Sequence, residues 1–399
     1  MFDKVCRGCG DTRLALFFSL CDMPLAGGFL PNREAIANEQ LYPLNVHVCM
    51  NCGLVQIIDP VDPNILFGDY SFSSSTVGPL VEHFEDYANW LKARFNPEKI
   101  VEFGCNDGVL LAPLERLGIT ACGVDVSRNI TEVARAGGLD VITDFFDEGV
   151  AEELVERLGP VDVVTGSNCL AHNADPEVIL RAAKRVLKPD GYLCLEVMYA
   201  GDLLENLQWD TLYHEHLTFY SLGTLTTLLQ RNGFSVVHAE RLPMHGGSLR
   251  VVSTTKSNFE PTTELKEIQA YEDSIRLNDP QPWLDFGDRA NRKIEVVRDT
   301  VGRLSKASRI WSYGAAGKAT LWVNACSMDY LEGVADASPL RAGKLMPGTH
   351  TPIVSPDKLK ENPPDYILIT AWNYADVIRA KEAWFKGIWL TPLPDLRFF

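Results

Sequence analysis

A ten-residue stretch, LYHEHLTFYS at 212–221, concentrates side chains that can move protons. It holds His214 and His216, two of the eight histidines of the chain, with Glu215 between them and Tyr213 before them. Imidazole titrates closer to neutrality than other side chains, and nearby carboxyl or phenol groups can orient it or donate to it. The stretch predicts a site for acid–base chemistry. In a regular strand, residue 216 would face away from residues 213 and 215. If all three side chains are to face one site, the backbone of this stretch must be irregular.

Four cysteines near the start of the chain form two pairs. Each pair has two residues between its members, the spacing that lets both thiolates of one turn reach a single tetrahedral ion. Two such pairs complete a closed site, so we predict structural zinc rather than catalytic metal; a redox dithiol is the alternative. The predicted ligands are Cys6, Cys9, Cys49 and Cys52.

The composition is that of a globular protein that works on small molecules. Hydrophobic residues make up 46% of the positions and charged residues 23%, as in a typical globular protein. The length of 399 residues predicts two or three domains. A net charge of −16 disfavours non-specific binding of nucleic acid. No long apolar run predicts a membrane span, and the first residues lack the apolar core of a secretory signal, so a cytoplasmic location is expected.

Hydrophobic patterning divides the chain into three parts, all within an α/β fold class. Residues 1–75 are rich in Pro, Gly and Asn and predict a small, irregular zinc-binding domain. Residues 76–255 alternate short apolar strands with amphipathic helices, which predicts a doubly wound parallel sheet. Residues 256–399 begin with a charged helical connector and then show a second strand–helix series, a Rossmann-like α/β domain.

The sequence VEFGCNDG at 101–108 predicts a tight turn from a strand into a helix, where a ligand can approach the backbone. It lacks the third glycine of dinucleotide-binding loops. It resembles instead the E-x-G-x-x-x-G loop of class I S-adenosylmethionine methyltransferases. An acid about 20 residues later fits a carboxylate that binds the ribose hydroxyls. The resemblance places contacts with the adenine at 144–145, and it places the meeting point of methyl donor and acceptor after the next strand, near residue 168. The predicted cofactor residues are Glu102, Gly104, Asn106, Gly108, Asp125, Asp144, Phe145 and Asn168.

The cysteine pairs, this loop, YHEHLTFYS, HGGSLR at 245–250 and YGAAGKA at 313–319 together resemble the sugar C-methyltransferases of deoxysugar biosynthesis over essentially the whole chain. That family methylates a carbon beside a ketone on a nucleotide-linked sugar, typically C-3 of a 4-keto-2,6-dideoxyhexose. The resemblance implies that His216 is the general base, that Glu215 orients or polarises the site, and that Tyr213 donates its hydroxyl. It also places His172 and Tyr70 at the active site, while a structural hydrogen bond is expected for His214.

The resemblance also implies that the C-terminal domain holds the nucleotide diphosphate of the sugar, with thymidine the expected nucleoside. Backbone N–H groups of the glycine turn, together with Lys318, could cradle a phosphate. His245 begins a turn expected to approach the substrate, although a plain structural turn is the alternative. The predicted substrate-binding residues are His245, Gly314, Lys318, Asp336 and Trp372.

The sequence is also compatible with two other functions. O- or N-methylation of another small metabolite would use the same fold and also requires a base. A zinc-containing binding module without catalysis would need neither the glycine loop nor the histidines. The sequence does not decide between a monomer and a homodimer.

Overall fold

The computed structural model of the protein describes residues 4–68, 70, 72–256 and 259–399. Within these ranges, no helix combines the length and the apolar character needed to cross a bilayer. The described residues form three β-sheets, of four, seven and six strands.

The N-terminal sheet shows that the prediction of an irregular backbone was wrong between residues 14 and 57. Three antiparallel strands run there: β1 Leu14–Pro24, β2 Leu41–Cys49 and β3 Val55–Ile57. In β2, Leu44, Val46 and Val48 are buried while the residues between them are partly exposed. This alternation of apolar and polar residues is the pattern of a strand with one buried face, and the sequence carries it in LNVHV at 44–48.

The central sheet contains the strands predicted for a methyltransferase, in the order β10-β11-β8-β7-β4-β5-β6. Its strands are parallel except β11, which runs antiparallel to both neighbours. Strand β9 lies between β8 and β10 in the sequence, but it joins the N-terminal sheet, where it pairs with β3. The strands are β4 Lys99–Phe103, β5 Thr120–Val124, β6 Val141–Ile142, β7 Val161–Ser167, β8 Leu187–Met198, β9 Thr218–Phe219, β10 Ser235–Leu242 and β11 Ser248–Thr254.

Helices precede, connect and follow these strands. Each helix except α1 buries at least two apolar side chains, and such packing is where most helix stability in proteins originates. They are α1 Pro63–Phe67, α2 Gly78–Phe95, α3 Leu111–Arg116, α4 Arg128–Ala136, α5 Glu148–Leu158, α6 Pro176–Val186, α7 Ala200–Glu205 and α8 Leu222–Arg231.

The helical connector consists of α9 Thr263–Ser274 and α10 Pro280–Leu304. Pro280 begins α10, a position that tolerates proline because its N–H would be unpaired in any case. Trp283 and Phe286 of α10 are buried and pack on Phe17 of β1, with ring centroids 6.0 and 6.2 Å apart. Burying a side chain such as Phe286 contributes about 1.5–3 kcal/mol, so α10 braces the N-terminal sheet from behind.

The C-terminal sheet has the order β14-β13-β12-β15-β16-β17 and is parallel except for its last strand. It comprises β12 Ile310–Tyr313, β13 Val334–Ala335, β14 Ile353–Val354, β15 Tyr366–Ile369, β16 Ile388–Thr391 and β17 Arg397–Phe398. Its helices are α11 Gly317–Ala325, α12 Asp357–Glu361 and α13 Ala375–Lys381. Trp209 and Trp322 join this part to the histidine segment, with ring centroids 4.4 Å apart.

Candidate active site

The four predicted zinc ligands come together. Their Sγ atoms all lie within 4.8 Å of one another, and the Cys6–Cys52 and Cys9–Cys49 pairs are 3.6 Å apart. Tetrahedral Zn–S bonds of about 2.3 Å place sulfurs roughly 3.8 Å apart, so the cluster fits zinc. All four positions of such a site are filled by protein, which leaves none for a substrate.

The first cysteine turn is fastened to the loop that follows β7. Between Cys6 and Gly8, the Arg7 side chain donates through Nη1 to the Ile57 carbonyl at 2.6 Å and through Nε to the Ala174 carbonyl at 2.9 Å. Leu217, which directly follows His216, donates its N–H to Ala171 and accepts from the N–H of Ile57. Arg7 and Ile57 therefore connect the first cysteine turn to the backbone that directly follows His216.

The glycine loop forms an acidic pocket at the carboxyl ends of β4 and β5. Gly104 has φ +68°, and a Cβ there would lie 2.5 Å from Cβ of Cys169. The Asp125 carboxylate accepts from the backbone N–H of Asn106 at 3.0 Å and of Ser127 at 2.9 Å. Burial raises the pKa of Glu102, and the charge of Asp125 raises it further. Gly108 has φ +82° and closes the turn.

The pocket suits a cationic ligand. The Oε2 atom of Glu102 and the Oδ1 atom of Asp107 are buried and have no hydrogen-bond partner within the described ranges. Leaving a buried carboxylate oxygen unpaired is costly unless a ligand satisfies it. S-adenosylmethionine carries a sulfonium and an ammonium group, so these acids fit that cofactor.

A short segment before α2 covers the glycine loop. The Asp107 carboxylate accepts from the Ser73 hydroxyl at 2.5 Å and from the N–H and hydroxyl of Ser75 at 3.0 and 2.7 Å. Asn106 accepts from the N–H of Ser74, and the side chain of Asn129 bonds the backbone of Tyr70. Asp107 lies within the VEFGCNDG loop but was not predicted as a site residue, and Asn129 lies outside the motifs found in the sequence.

Three of the predicted cofactor residues lie further from this network. Asp144 and Phe145 follow β6 and are exposed, and the Asp144 carboxylate accepts from the adjacent N–H of Phe145. Asn168 follows β7 with φ +56° and donates its N–H to the Glu196 carbonyl. Their contact with a cofactor stays a prediction.

The histidine segment is irregular, as predicted. Residues 214–215 form a turn in which the His216 N–H donates to the Tyr213 carbonyl at 2.9 Å. The ring of His216 lies between two others, with centroid distances of 4.2 Å to Tyr213 and 5.3 Å to His172. Phe67 of α1 continues the stack beyond His172 at 5.3 Å. The resulting ring stack, Phe67–His172–His216–Tyr213, joins three separate segments of the chain.

Hydrogen bonding sets the tautomer of His216. Its Nδ1 atom lies 2.8 Å from the Thr211 carbonyl, which can only accept, so Nδ1 carries the proton. In the neutral ring, Nε2 then keeps its lone pair. Burial lowers the pKa of His216 to about 4, so the ring is neutral at pH 7. His172 is held neutral in the same way, since burial and then His216 lower its pKa to about 3.

Glu215 is the acid poised near neutrality. Burial raises its pKa to about 7, while Tyr70 and the positive charge of Arg341 restrain the rise. Its Oε1 atom lies against Gly27, where a Cβ would be 3.2 Å away. Burial, and next the charge of Glu215, also raise the pKa values of Tyr70 and Tyr213. Both phenols are therefore hydroxyl donors at neutral pH.

The other two histidines differ in their surroundings. His214 is buried, and its Nε2 atom lies 3.1 Å from the Tyr42 carbonyl, which confirms the expected structural hydrogen bond. His245 has a left-handed backbone with φ +55°, a conformation that costs a non-glycine residue energy. Burial and then the charge of Lys318 lower the pKa of His245 to about 4.

The predicted residues of the C-terminal domain fall into two groups. Lys318 and Trp372 lie together near the histidines, with Nζ of Lys318 4.6 Å from the Trp372 ring centroid. Asp336 braces the glycine turn instead, accepting from the N–H of Ala315 at 2.6 Å and of Ser338 at 2.8 Å. Gly314 precedes that turn with φ +96°.

Three further residues of this region were not predicted from the sequence as site residues. Phe67 contributes to the ring stack, and Arg341 pairs with Asp336 at 3.3 Å while its charge reaches Glu215. Asp210 accepts from the indole N–H groups of Trp322 and Trp372 at 2.9 and 2.8 Å. A lone acid in the apolar stretch LQWDTLY was the available signal for Asp210; nothing local marks the other two.

Three family models match successive parts of the chain. A family of zinc binding domains matches residues 6–67, a methyltransferase domain matches residues 81–239, and a C-methyltransferase C-terminal domain matches residues 243–394. Together with the acidic cofactor pocket and the four-cysteine cluster, these matches define an S-adenosylmethionine-dependent C-methyltransferase with a zinc-binding domain.

One relative matches along nearly the whole length. C-methyltransferase NovU of Streptomyces niveus is 33% identical over 402 aligned positions, which cover 98% of this chain and 96% of NovU. The chain therefore belongs to the family of C-methyltransferases that includes NovU.

Other matches are partial. A ubiquinone biosynthesis O-methyltransferase of Xanthomonas oryzae pv. oryzae (strain PXO99A) is 34% identical over 102 residues, 25% of this chain and 43% of the relative. The solved PH0226 protein of Pyrococcus horikoshii OT3 superposes with a TM-score of 0.36 at 17% identity, covering 50% of this chain and all of PH0226.

Proposed function

We propose that this methyltransferase acts on a nucleotide-linked ketosugar and methylates the carbon beside the ketone, C-3 of a 4-keto-deoxyhexose carried by thymidine diphosphate. His216 removes the proton from that carbon. The observation that carries the proposal is the tautomer of His216, whose Nδ1–H is committed to Thr211. Its Nε2 lone pair remains available to take a proton from carbon, which is the step that C-methylation requires and that a simple phosphate or ribose site would not need.

S-adenosylmethionine supplies an electrophilic methyl group when it is bound. The protein's own part is to hold it beside the acceptor: Glu102 and Asp107 offer unpaired carboxylate oxygens, and Asp125 stands at the end of β5 where a ribose would be bound. The segment that ends in Ser73–Ser75 covers this pocket and limits the access of water to it.

The acceptor would lie beside the ring stack, on the side from which Tyr70, Glu215 and Arg341 also approach. Tyr213 and Tyr70 keep their hydroxyl protons at neutral pH and can donate to a ketone or sugar oxygen. Glu215, with a pKa raised to about 7, can orient a sugar hydroxyl or exchange a proton with it. Arg341, whose positive charge reaches Glu215, brings positive charge to a substrate that carries two phosphates.

Glu215 is the competing candidate for the base. A catalytic base works best when its pKa lies near the working pH, and on this criterion Glu215 is better matched than His216. We favour His216 because its tautomer is fixed and its ring is neutral, and hence ready to accept a proton, at every pH above about 4.

Two measurements test the proposal. Purified protein is incubated with methyl-labelled S-adenosylmethionine and a panel of nucleotide ketosugars, and the products are read by mass spectrometry. The same sugars are then incubated in deuterium oxide with protein and no methyl donor. We expect a methylated sugar carbon in the first experiment and deuterium at that carbon in the second.

Label found on oxygen or nitrogen of a small metabolite, with no deuterium at any carbon, would establish the alternative of O- or N-methylation. His216→Asn should abolish the carbon exchange and leave binding of S-adenosylmethionine intact. His47→Asn, on the N-terminal sheet outside the ring stack, is the matched control.

A further inference from the structure

Lys318 is placed at the boundary between the C-terminal domain and the histidine segment. It is the second residue of α11, and the first, Gly317, packs directly on Tyr213: a Cβ on Gly317 would lie 3.2 Å from Cζ of that ring. A side chain at this position would have to displace the ring by a few tenths of an ångström. The amino end of α11 therefore reaches the ring stack, although it lies about 100 positions further along the chain.

The ammonium group of Lys318 is held without being neutralised. Its Nζ atom is buried, lies 4.6 Å from the centroid of the Trp372 ring, and has no hydrogen-bond partner in the part of the chain that is described. A cation over an indole face is attracted by the ring quadrupole. That contact uses none of the three N–H donors, so all of them remain available.

Asp210 supplies the balancing charge at a distance. Its buried carboxylate is fixed by the indole N–H groups of Trp322 and Trp372, both of which donate to Oδ2. No ion pair between Asp210 and Lys318 closer than 4.0 Å is present among the described residues. Burial lowers the pKa of Lys318, and the charge of Asp210 opposes part of that lowering. Trp372 thus holds both the acid and the ammonium, and keeps them apart.

The ammonium group lies close to the histidine segment. Its neighbour Gly317 packs on Tyr213, and Trp372, whose ring it contacts, donates to Asp210 just before that segment. Consistent with this placement, the charge of Lys318 contributes, after burial, to the lowered pKa values of His216 and His245. Lys318 therefore brings positive charge to the region where an acceptor carbon would lie.

We propose that Lys318 is a catalytic residue of the C-terminal domain that stabilises the enolate oxygen formed when the acceptor loses its proton; this inference rests on the proposed function. In that step the C–H bond beside the ketone breaks, its proton goes to Nε2 of the base, and its electron pair forms the enolate double bond. The carbonyl π pair moves onto oxygen, and Lys318 donates an N–H to that oxyanion without giving up its proton. When the carbon captures the methyl group, the bond between that methyl group and the donor sulfur breaks and its electron pair stays on sulfur. The carbonyl forms again, and the negative charge on oxygen disappears.

This role differs from the phosphate contact expected from the sequence. A phosphate ligand would strengthen binding of any nucleoside diphosphate, whereas an oxyanion donor acts mainly in the transition state. The two roles are therefore separable by measuring binding and proton exchange in the same variants.

The test uses Lys318→Met, which removes the charge and keeps most of the side-chain volume, and Lys318→Gln as a second neutral variant. Lys306→Met, an exposed lysine after α10, is the matched control. Each protein is assayed for binding of thymidine diphosphate by calorimetry. Each is then assayed, without methyl donor and at saturating nucleotide ketosugar, for deuterium incorporation at the carbon beside the ketone. Calorimetric binding of S-adenosylmethionine confirms that a variant is folded.

For the neutral variants we expect exchange to fall on the order of 100-fold or more, as for loss of an oxyanion donor, with thymidine diphosphate affinity retained. The control should match the unmodified protein. Undiminished exchange at saturation, together with weaker binding of thymidine diphosphate, would make Lys318 a phosphate ligand and overturn the inference. Absence of exchange and of methylation in the unmodified protein, with every ketosugar, would instead overturn the proposed function itself.

Discussion

Val55 of the zinc-bearing sheet is paired with Phe219, three residues after His216, in an antiparallel register that also joins Gln56 to Thr218. The strand that follows the histidines is therefore the fourth strand of the N-terminal sheet. Cys49 ends β2 and Cys52 lies just before β3, so the metal cluster fixes the start of β3. Strand β3 in turn pairs with β9, the strand that follows the histidines. A closed zinc site can in this way affect chemistry in which it takes no part.

We expect removal of the zinc to disturb the ring stack. In small zinc peptides the metal contributes on the order of 10 kcal/mol, and here its loss should release β3 and β9. Cys49→Ser should lower zinc content, measured by mass spectrometry of the metal, and speed amide hydrogen exchange at Ile57 and Leu217, whose backbones are bonded. The exposed Cys21 lies outside the cluster, so Cys21→Ser should change neither quantity. Unchanged exchange in zinc-free protein would contradict the coupling.

The turn that carries Cys49 and Cys52 also depends on the glycine that follows it. Gly53 has φ +76°, and a Cβ there would lie 2.3 Å from the Asn278 carbonyl, at the connector between α9 and α10. Gly118 has a nearly equal φ of +74° with open space around its Cα. Both alanine variants incur the left-handed penalty of about 1–2 kcal/mol, but only Gly53→Ala also meets backbone. We predict a clearly larger fall in melting temperature for Gly53→Ala, measured by calorimetry; equal falls would argue against tight packing at the connector.

Glu102 is expected to bind the cofactor through its unpaired Oε2. Glu102→Gln keeps the shape but removes the negative charge that a sulfonium or ammonium group would meet, and a hydrogen bond to a charged group contributes about 1.5–3 kcal/mol. We predict roughly a tenfold or greater increase in the Kd of S-adenosylmethionine in calorimetry. Glu98→Gln, exposed near the opposite end of β4, is the control and should bind normally. Equal affinities in the two variants would exclude Glu102 from the site.

The pH dependence of carbon exchange should distinguish the two candidate bases. A base must be unprotonated, so with His216 as base activity is retained as pH falls until it approaches about 4. Glu215 should add an inflection near pH 7, where its carboxyl titrates. We predict that Glu215→Gln removes the inflection near 7 and keeps the acid limb near 4. Loss of all exchange in Glu215→Gln, with His216→Asn active, would reverse the assignment.

Buried neutral histidines also predict how stability depends on pH. The folded pKa values of His172, His216 and His245 lie at about 3, 4 and 4, below the ordinary 6.5. The unfolded chain therefore binds protons below pH 6.5 that the folded chain refuses, so stability should fall as pH drops from 6.5 toward 4. His172→Asn should shallow this slope, measured by urea unfolding between pH 4.5 and 7. A slope unchanged from the unmodified protein would show that His172 is not held neutral.

Much of the local structure follows from the sequence, and for physical reasons. CxxC spacing brings two thiolates together within one turn, and the four-cysteine cluster formed as predicted. Apolar runs separated by amphipathic helices predicted most strands of the two parallel sheets, because buried parallel strands are apolar throughout. The strands of the N-terminal sheet were missed, although Asn45 and His47 alternate with buried apolar residues in β2. Pro43 in the same strand is a residue that argues against one.

The tertiary structure decided what no local pattern contains. Asp210 meets Trp322 across 112 positions and Trp372 across 162, and Phe67 reaches His172 from a different segment. The sequence by itself determined which groups could move protons or bind metal, because those properties belong to residue types and short spacings. Only the packed fold could set the tautomer of His216, the pKa of Glu215 and the surroundings of Lys318. A hydrogen bond decides the first, burial and charges remote in the sequence decide the second, and contacts between separate segments decide the third.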